Sequence, residues 1–461
     1  MDTTHYNLLE KVKRLHFVGI GGSGMCPLAE ILHSQGYQLT GSDNNETDTL
    51  ARIRSYGIPV ALGHAAENID GAEAVVYTAA VMQDNPELVA AREKGLPLIE
   101  RAVLLGIIAR KYKNTVAVSG THGKTTVTSM VTQILMNANM DPTVVIGGKL
   151  NFIGGNGRAG KSDIMVCEAC EFVDTFLELT PAVSIILNVD EDHLDYFKNL
   201  DNIIKSFHQF AVQTSRALVV NGDDKNSLKA VEGLEKEVVT FGLGAGNRYR
   251  AEDVVTLSGA RTRFTLLEND QPLTEIELNI PGHHHVYNAL AAAAAAHILG
   301  VKPAEISKSL SEFTGAGRRF EILGRPNGIV IADDYAHHPK ELKVTLNAAS
   351  EMGFNRVWAV FQPFTYSRTA LLLDDFADAL RIADRVVMTE IMGAREVNTY
   401  DIYTKDLAKK IDGSVWYNTF DEVADYIVEH ARPGDLVITM GCGDIYKAAK
   451  LMLKKYDKQT V

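Results

Sequence analysis

The sequence lacks any apolar run of the roughly 20 residues that a helix needs to cross a bilayer. The longest candidate, residues 289–301, is shorter and rich in alanine, so we expect a packed helix there. The first residues show no basic-then-apolar pattern of the kind that marks a secretory signal. We therefore expect a cytoplasmic protein with no membrane insertion.

Cysteine is scarce, with four among 461 residues, and in a long cytoplasmic chain we expect all four to be reduced. Cys167 and Cys170 form a C-x-x-C, a spacing used in thiol redox sites and as half of a zinc site. No second C-x-x-C completes a zinc site, and the pair follows the apolar strand predicted over residues 163–167. A structural role is therefore favoured for both cysteines.

Positive charge is also in deficit, because 46 Lys and Arg face 58 Asp and Glu, for a net charge of −12. This balance disfavours nonspecific nucleic-acid binding, so we expect no nucleic-acid partner. Internal repeats are absent, and the length predicts about three domains. Strands alternate with helical stretches, which predicts an α/β fold of parallel sheets with helices on both faces. Domain breaks are predicted near residues 109–114 and 313–320.

The most informative segment present is Thr115-Val-Ala-Val-Ser-Gly-Thr-His-Gly-Lys-Thr-Thr126. It reads as a buried strand, a glycine turn, and then Lys124 and Thr125 at the start of a helix. In such loops the backbone N–H groups face phosphates, the lysine adds positive charge, and the threonine hydroxyl can hold Mg²⁺. The loop is two residues shorter than the common G-x-x-x-x-G-K-[ST], so it predicts a variant nucleotide-phosphate site.

A second glycine-rich loop, Gly19-Ile-Gly-Gly-Ser-Gly24, follows the strand predicted over residues 15–18. Asp43 lies 19 residues beyond Gly24, as in the dinucleotide-binding fingerprint. The glycines would let the backbone approach a diphosphate, and Asp43 could bond a ribose hydroxyl. The motif indicates a site for the diphosphate of a nucleotide, but it does not identify the nucleotide. On this motif alone, a nicotinamide-dependent dehydrogenase is an alternative function.

Two further predicted strands end in carboxylate or imidazole side chains. Glu168 and Glu171 follow one strand, and His193 lies in the acidic segment 188–195 after the next. Carboxylate oxygens suit Mg²⁺, whereas a histidine ligand suggests a second cation site. Three successive histidines at 283–285 also suggest metal, but neighbours in an extended segment point to different faces, so we do not expect a site there.

Together these motifs resemble those of the Mur ligases of bacterial cell-wall synthesis. The resemblance covers about residues 14 to 450 and follows the family's order: the loop at 120–126, Glu168-Ala-x-Glu171, Asn188 with Asp192-His193, and Pro281-Gly-x-His-x-Val-x-Asn288-Ala. Segments 16–25, 41–43 and 333–339 are most similar to those of family members that attach L-alanine to UDP-N-acetylmuramate.

The resemblance implies an α/β protein of three domains: a Rossmann-like UDP-sugar domain over 1–113, a central ATP-binding domain with a mainly parallel sheet over 114–318, and a Rossmann-like amino-acid domain over 319–461. It assigns the first glycine loop to UDP rather than to NAD. It also implies that the muramate carboxylate attacks the γ-phosphate of ATP and that L-alanine then displaces phosphate from the acyl phosphate. Mg²⁺, with Mn²⁺ possible, is the implied cofactor, and a monomer or homodimer is expected.

The resemblance also assigns roles to individual residues. Those implied for the UDP-sugar are Gly19, Gly21, Gly22, Ser23, Gly24 and Asp43, and those for ATP are Gly120, Thr121, His122, Gly123, Lys124, Thr125, Thr126, His284, Asn288 and Arg319. The implied metal ligands are Thr125, Glu168 and His193, the amino-acid contacts are Tyr335, His337 and Arg368, and the catalytic set is Lys124, His193, His337 and Arg368.

Three segments depart from the family pattern. Phe364 and Thr365 replace a histidine and an arginine, residues 168–173 read Glu-Ala-Cys-Glu-Phe-Val instead of Glu-Ala-Asp-Glu-Ser-Asp, and residues 283–285 replace Arg-His-Asn. The implied metal ligands are intact, which argues against a catalytically idle UDP-sugar-binding protein. Glycine or serine in place of alanine, and a recycling ligase that takes a preformed peptide, stay open as alternatives.

Overall fold

A computed structural model describes residues 7–257, 261–394 and 396–459. They form three sheets in which parallel pairs predominate, with helices between the strands, as the alternating sequence pattern predicts. Within these residues no helix combines the length and the apolar character needed to span a bilayer.

The first sheet has five parallel strands in the order β3-β2-β1-β4-β5, which is a Rossmann-like order. Its strands are β1 (Arg14–Val18), β2 (Gln38–Asp43), β3 (Val60–Leu62), β4 (Ala74–Tyr77) and β5 (Leu98–Glu100), and its helices are α1 (Leu8–Lys11), α2 (Cys26–Ser34), α3 (Asp48–Ser55), α4 (Pro86–Glu93) and α5 (Arg101–Ala109). The glycine loop 19–24 follows the central strand β1. This is where ligands bind in open parallel sheets.

The second sheet has ten strands in the order β15-β14-β13-β12-β11-β10-β6-β9-β7-β8. The strands are β6 (Asn114–Ser119), β7 (Thr143–Leu150), β8 (Gly155–Arg158), β9 (Ile164–Glu168), β10 (Val183–Ile186), β11 (Ala217–Asn221), β12 (Glu237–Gly242), β13 (Tyr249–Thr256), β14 (Thr262–Glu268) and β15 (Gln271–Leu278). Strand β6 runs parallel to both of its neighbours, β9 and β10, so the segments after all three meet at one edge.

Six helices accompany the second sheet: α6 (Lys124–Asn137), α7 (Leu194–Phe197), α8 (Leu200–Gln213), α9 (Lys225–Val231), α10 (His284–Ile298) and α11 (Pro303–Ser311). The alanine-rich segment predicted as a packed helix is α10. The alanines from 291 to 296 are fully buried, because small side chains let the helix approach its neighbours closely.

The third sheet has six strands in the order β16-β17-β21-β18-β19-β20, and only the edge strand β16 is antiparallel to its neighbour. The strands are β16 (Glu321–Gly324), β17 (Val330–Asp334), β18 (Val357–Phe361), β19 (Arg385–Thr389), β20 (Val415–Tyr417) and β21 (Leu436–Met440). The helices are α12 (Pro339–Ser350), α13 (Tyr366–Leu371), α14 (Leu373–Leu380), α15 (Thr404–Ala408), α16 (Phe420–His430) and α17 (Tyr446–Gln459).

The residues that carry these three sheets are grouped into two compact units. The first contains the described residues up to 252 with 265–276 and 287–311, and the second contains the others. One continuous apolar core runs through the first two sheets, from Leu9 to Val231. On α5 a Cβ at Gly106 would overlap the carbonyl oxygen of Glu178, so glycine is needed for this close approach between the two layers.

Candidate active site

The phosphate loop joins β6 to α6 through two glycines with positive φ, Gly120 (φ 138°) and Gly123 (φ 89°). Gly123 is the N-cap of α6 and adopts the left-handed conformation, which glycine tolerates best. A Cβ on Gly123 would lie 2.9 Å from Oδ1 of Asn288, so the loop is packed against the residue predicted to contact adenine. The structure therefore brings Asn288 beside the loop at the start of α10.

Asn188, after β10, supports this loop from behind. Its Oδ1 accepts a hydrogen bond from the His122 amide (2.8 Å), and its Nδ2 donates to the His122 carbonyl (3.1 Å). The Thr121 amide donates to the Asn188 carbonyl (3.0 Å), and the Thr121 hydroxyl accepts from the Asp190 amide (2.9 Å). These bonds fix the conformation of residues 120–123. The sequence indicated Asn188 as part of a motif but did not reveal this role.

Lys124 carries the positive charge of the loop, and its Nζ lies 2.9 Å from the nearest carboxylate oxygen of Glu171. It also donates to the carbonyls of Gly120 (2.5 Å) and Thr121 (3.2 Å). Burial acts to lower the pKa of Lys124, but the Glu171 carboxylate outweighs it, so the pKa is raised and the amine stays protonated. Glu168, the last residue of β9, also raises this pKa, so it lies near the loop lysine as well.

The three predicted metal ligands provide a hydroxyl, a carboxylate and an imidazole. The Thr125 side chain is buried in the first turn of α6, and no described residue hydrogen-bonds to its hydroxyl. Glu168 ends β9, where its Oε1 accepts from the Gly147 amide (2.7 Å). His193 is left-handed (φ 51°), and its ring centroid lies 4.6 Å from that of Phe172, one residue after Glu171.

No cluster of three or more His, Cys, Asp or Glu side chains able to hold a metal occurs among the described residues. The predicted ligand set contains only two side chains of these types, Glu168 and His193, and its third member is the Thr125 hydroxyl. An incomplete protein ligand set suits Mg²⁺, which usually keeps water and substrate phosphate oxygens in its shell. The hydroxyl and carboxylate donors therefore fit the predicted ion, whereas the imidazole of His193 is a less usual ligand for Mg²⁺.

The glycine loop of the first sheet is held by Asp43. Its Oδ2 accepts a hydrogen bond from the Gly21 amide (2.9 Å), and a Cβ on Gly21 would lie 2.9 Å from that same oxygen. The amides of Gly19 and Ile20 both donate to the Ser42 carbonyl, which closes the turn. In this structure Asp43 supports the loop, a role that the ribose interpretation of the sequence did not include.

The β7–β8 hairpin connects these two regions of the first unit. Asn156 donates through Nδ2 to the carbonyl of Ser23 in the glycine loop, and the Arg52 guanidinium donates to the Gly154 carbonyl (2.7 Å). Arg52 also pairs with Glu30 (2.8 Å). The same hairpin donates the Gly147 amide to Glu168, so it touches both a predicted UDP-sugar loop and a predicted metal ligand.

In the second unit, Tyr335 follows β17 and lies between two arginines. The guanidinium carbons of Arg318 and Arg319 are 4.9 and 5.0 Å from its ring centroid. Arg318 is anchored by Asp333 (2.8 Å) and by the Gly441 carbonyl (2.6 Å). The resemblance of the sequence implied a nucleotide contact for Arg319. It gave no role to Arg318, which packs against the Tyr335 ring in the structure.

His337 and Arg368 lie in the same region of this unit as Tyr335. The ring centroids of Tyr335 and His337 are 5.6 Å apart, and His337 Nδ1 is 3.2 Å from a carboxylate oxygen of Glu341. Burial lowers the pKa of His337; Glu341 opposes this, and the nearby Arg368 adds to it. The three predicted amino-acid contacts therefore occur together. Thr365, in place of the family arginine, has a positive φ of 65°.

The histidine triplet and the cysteines complete the predicted features. His284 begins α10, its ring centroid lies 4.0 Å from that of His285, and it belongs to the second unit. All four cysteines are free. Burial raises the pKa of Cys167 to about 12, so this thiol is unsuited to redox chemistry, in agreement with a structural role.

Three family models match the chain in succession. They describe the Mur ligase family catalytic domain (residues 14–113), the Mur ligase middle domain (118–296) and the Mur ligase glutamate ligase domain (318–443). A UDP-N-acetylmuramate–L-alanine ligase from Acetivibrio thermocellus is 44% identical over 98% of this chain and 97% of its own. One from Lachnospira eligens is 46% identical over 95% and 98%.

The fold is also found in solved structures. The crystal structure of a UDP-N-acetylmuramate–alanine ligase from Thermotoga maritima matches with a TM-score of 0.84 and 31% identity, covering 97% of this chain and 99% of that one. These matches confirm the predicted α/β fold of three domains. The chain belongs to the Mur ligase family.

Proposed function

We propose that this protein is an ATP-dependent ligase that forms the amide bond between UDP-N-acetylmuramate and L-alanine in peptidoglycan precursor synthesis. The observation that carries the proposal is the 44–46% identity, over nearly the whole chain, to relatives named for this reaction. The positions of Lys124, Glu168, Asn188 and Asn288 around one loop also support it, because that reaction begins with phosphoryl transfer from ATP.

The phosphoryl-transfer step needs positioning and charge neutralisation more than an acid–base pair. We assign the backbone amides of residues 120–126 to the ATP phosphates and Lys124 to the β/γ-phosphate charge. Asn288, with His284 and Arg319, would contact the nucleotide. Lys124 is already protonated beside Glu171, so it can exchange that carboxylate for phosphate oxygens without a change of charge state.

We assign Thr125, Glu168 and His193 to a divalent cation, Mg²⁺ or Mn²⁺. When bound, the ion would neutralise phosphate charge during attack by the muramate carboxylate. The hydrogen bond from the Gly147 amide holds one oxygen of Glu168, so the carboxylate is oriented before a cation arrives.

We assign the glycine loop 19–24 with Asp43 to the UDP-sugar, and Tyr335, His337 and Arg368 to L-alanine and the transferring phosphate. The lowered pKa of His337 leaves its imidazole neutral at physiological pH, so it could accept a proton from the attacking amine. We place the domain boundaries at 113/114 and 318/319 and the protein in the cytoplasm.

The proposal is tested by measuring phosphate release from Mg-ATP and UDP-N-acetylmuramate with L-alanine, glycine, L-serine or a preformed tripeptide as acceptor. We expect release that depends on L-alanine. Release with the tripeptide alone would instead identify a recycling ligase, which the relatives do not favour. No release with any acceptor, from protein that still binds ADP and UDP, would contradict the ligase assignment.

A further inference from the structure

Arg101 lies where the first sheet meets its glycine loop, although no motif indicated it. It is the first residue of α5 and directly follows β5, so it emerges at the carboxyl edge of the parallel sheet. This is the edge that also carries the loop 19–24 after β1. Ligands of open parallel sheets bind at this edge.

The Arg101 side chain lies against Gly24, the last glycine of the loop. A Cβ on Gly24 would be 2.9 Å from Cδ of Arg101 and 3.2 Å from both Nε and Nη1. Gly24 therefore leaves room for a guanidinium that any larger residue would displace. This requirement differs from that at Gly19, where a positive φ of 79° favours glycine.

The Arg101 guanidinium forms no hydrogen bond or ion pair with any residue in the described part of the chain, although the side chain is half-buried. Neighbouring arginines behave differently, since Arg52 pairs with Glu30 and Arg110 donates to the Glu178 carbonyl. A partly desolvated guanidinium has five donors to satisfy, and a phosphate satisfies them well.

Arg101 also influences Cys170, which follows β9 of the second sheet. Burial raises the pKa of the Cys170 thiol, and the positive charges of Lys124 and Arg101 both oppose that rise. Cys170 is adjacent to Glu171, the partner of Lys124. Arg101 is thus near the segment that follows β9, as well as beside Gly24 of the glycine loop.

We propose that Arg101 binds the diphosphate of the UDP-sugar, with its guanidinium alongside the Gly24 end of the glycine loop. The loop offers backbone amides, which carry no net charge, so Arg101 supplies the positive charge that a diphosphate requires. This inference rests on the proposed UDP-sugar site, but it does not depend on which amino acid is the acceptor.

The test is calorimetric measurement of UDP binding to the full-length wild type and to R101Q, R101K and R54Q, each at two salt concentrations. Arg54 is a matched control, because it lies in the same sheet layer and pairs with Glu46 on the surface. We expect R101Q to weaken UDP binding about 10- to 100-fold, R101K to weaken it less, and R54Q to match the wild type. R101Q should also lose much of the salt dependence of UDP binding.

ADP binding, measured in parallel, should be unchanged in every variant, and it shows that the protein is folded. If R101Q fails to fold, the UDP affinity of R101K tests the proposal instead: weaker binding supports it, and unchanged binding contradicts it. Unchanged UDP affinity, or an equal loss in R54Q, would overturn the proposal. The proposal would also be overturned if R101Q bound UDP normally but bound UDP-N-acetylmuramate more weakly. Arg101 would then contact the muramate carboxylate instead of the diphosphate. If the wild type binds UDP but releases no phosphate with any acceptor, the proposed function alone fails.

Discussion

At the scale of single residues, the Lys124–Glu171 pair links stability to catalysis. Glu171 is buried, and its nearest cation is the lysine that we assign to ATP. Removing one partner of a buried ion pair leaves an uncompensated charge, which typically costs about 3–5 kcal/mol. Lys124 therefore contributes both to stability and to catalysis, and a substitution of Lys124 alone would change both at once.

We predict that K124A loses phosphate release and also unfolds at a lower temperature. The double variant K124A/E171Q should regain most of the thermal stability, because no buried charge is left unpaired, but it should stay inactive. Thermal unfolding and phosphate release measure the two effects separately. UDP-sugar binding should be nearly unchanged in both variants, and its loss from folded protein would contradict the assignment of that site to the first sheet.

A second buried carboxylate, Glu87, lies in the first sheet layer and is fully buried. Burial acts to raise its pKa, but contacts with His16, Asn68 and Ser42 outweigh this and lower the pKa to about 2. The ordinary value is 4.5, so the carboxylate stabilises the folded state above pH 4.5, and this contribution is lost as the pH falls toward 2.

We therefore predict that E87Q is less stable than the wild type at pH 7, by up to about 3 kcal/mol. The difference should shrink as the pH falls below 4.5. Urea unfolding from pH 7 to pH 3.5 measures it, and E67Q, at an exposed position on the same layer, is the control. A stability difference that does not change with pH would show that shape rather than charge matters at Glu87.

At the scale of elements, the N-terminus of α6 depends on a glycine for two separate reasons. Gly123 has a positive φ, and the space beyond its Cα is occupied by Asn288. Gly57 shares the first property, with a φ of 81°, but a Cβ there would meet nothing within 4 Å. The two positions therefore separate backbone strain from the contact with Asn288.

We predict that G57A costs about 1–2 kcal/mol of stability and leaves the KM for ATP unchanged. G123A should carry a similar strain and in addition raise the KM for ATP, because Asn288 must move. Steady-state kinetics and thermal unfolding of both variants check this. Equal effects on KM would remove Asn288 from the nucleotide site.

Also at this scale, the sequence was sufficient for elements whose signals are local. The strand, glycine turn and helix around Lys124, and the glycine loop before α2, could be predicted because each lies within about 15 residues. The Lys124–Glu171 pair and the docking of Asn156 onto Ser23 could not. They join residues 47 and 133 positions apart, and only the tertiary fold decides such contacts.

At the scale of the whole molecule, the three sheets are not equally independent. Apolar side chains from the first and second sheets form one core. The third sheet has two cores of its own, one on each face, whose buried members all lie between residues 329 and 456. These two cores therefore lie after the predicted boundary at 318/319, whereas the core of the first two sheets includes residues on both sides of 113/114.

We predict that a fragment of residues 319–461 folds alone and unfolds cooperatively, whereas a fragment of residues 1–113 does not. The first keeps its core, and the second exposes the apolar side of α5 that faces Glu178 in the full chain. Circular dichroism during urea unfolding of each fragment distinguishes the two. A cooperative unfolding transition of fragment 1–113 would show that the first sheet can fold without the core that it shares with the second sheet.

The shared core also has a consequence for synthesis on the ribosome. Helix α5 is complete at Ala109, but the core against which it packs includes residues as late as Val231. At typical elongation rates those residues follow roughly 6–24 s later. During that interval the nascent chain presents unpaired apolar surface, so we expect early engagement by chaperones and slow folding if translation pauses between the two sheets. The sequence from 319 onward should be free of this delay.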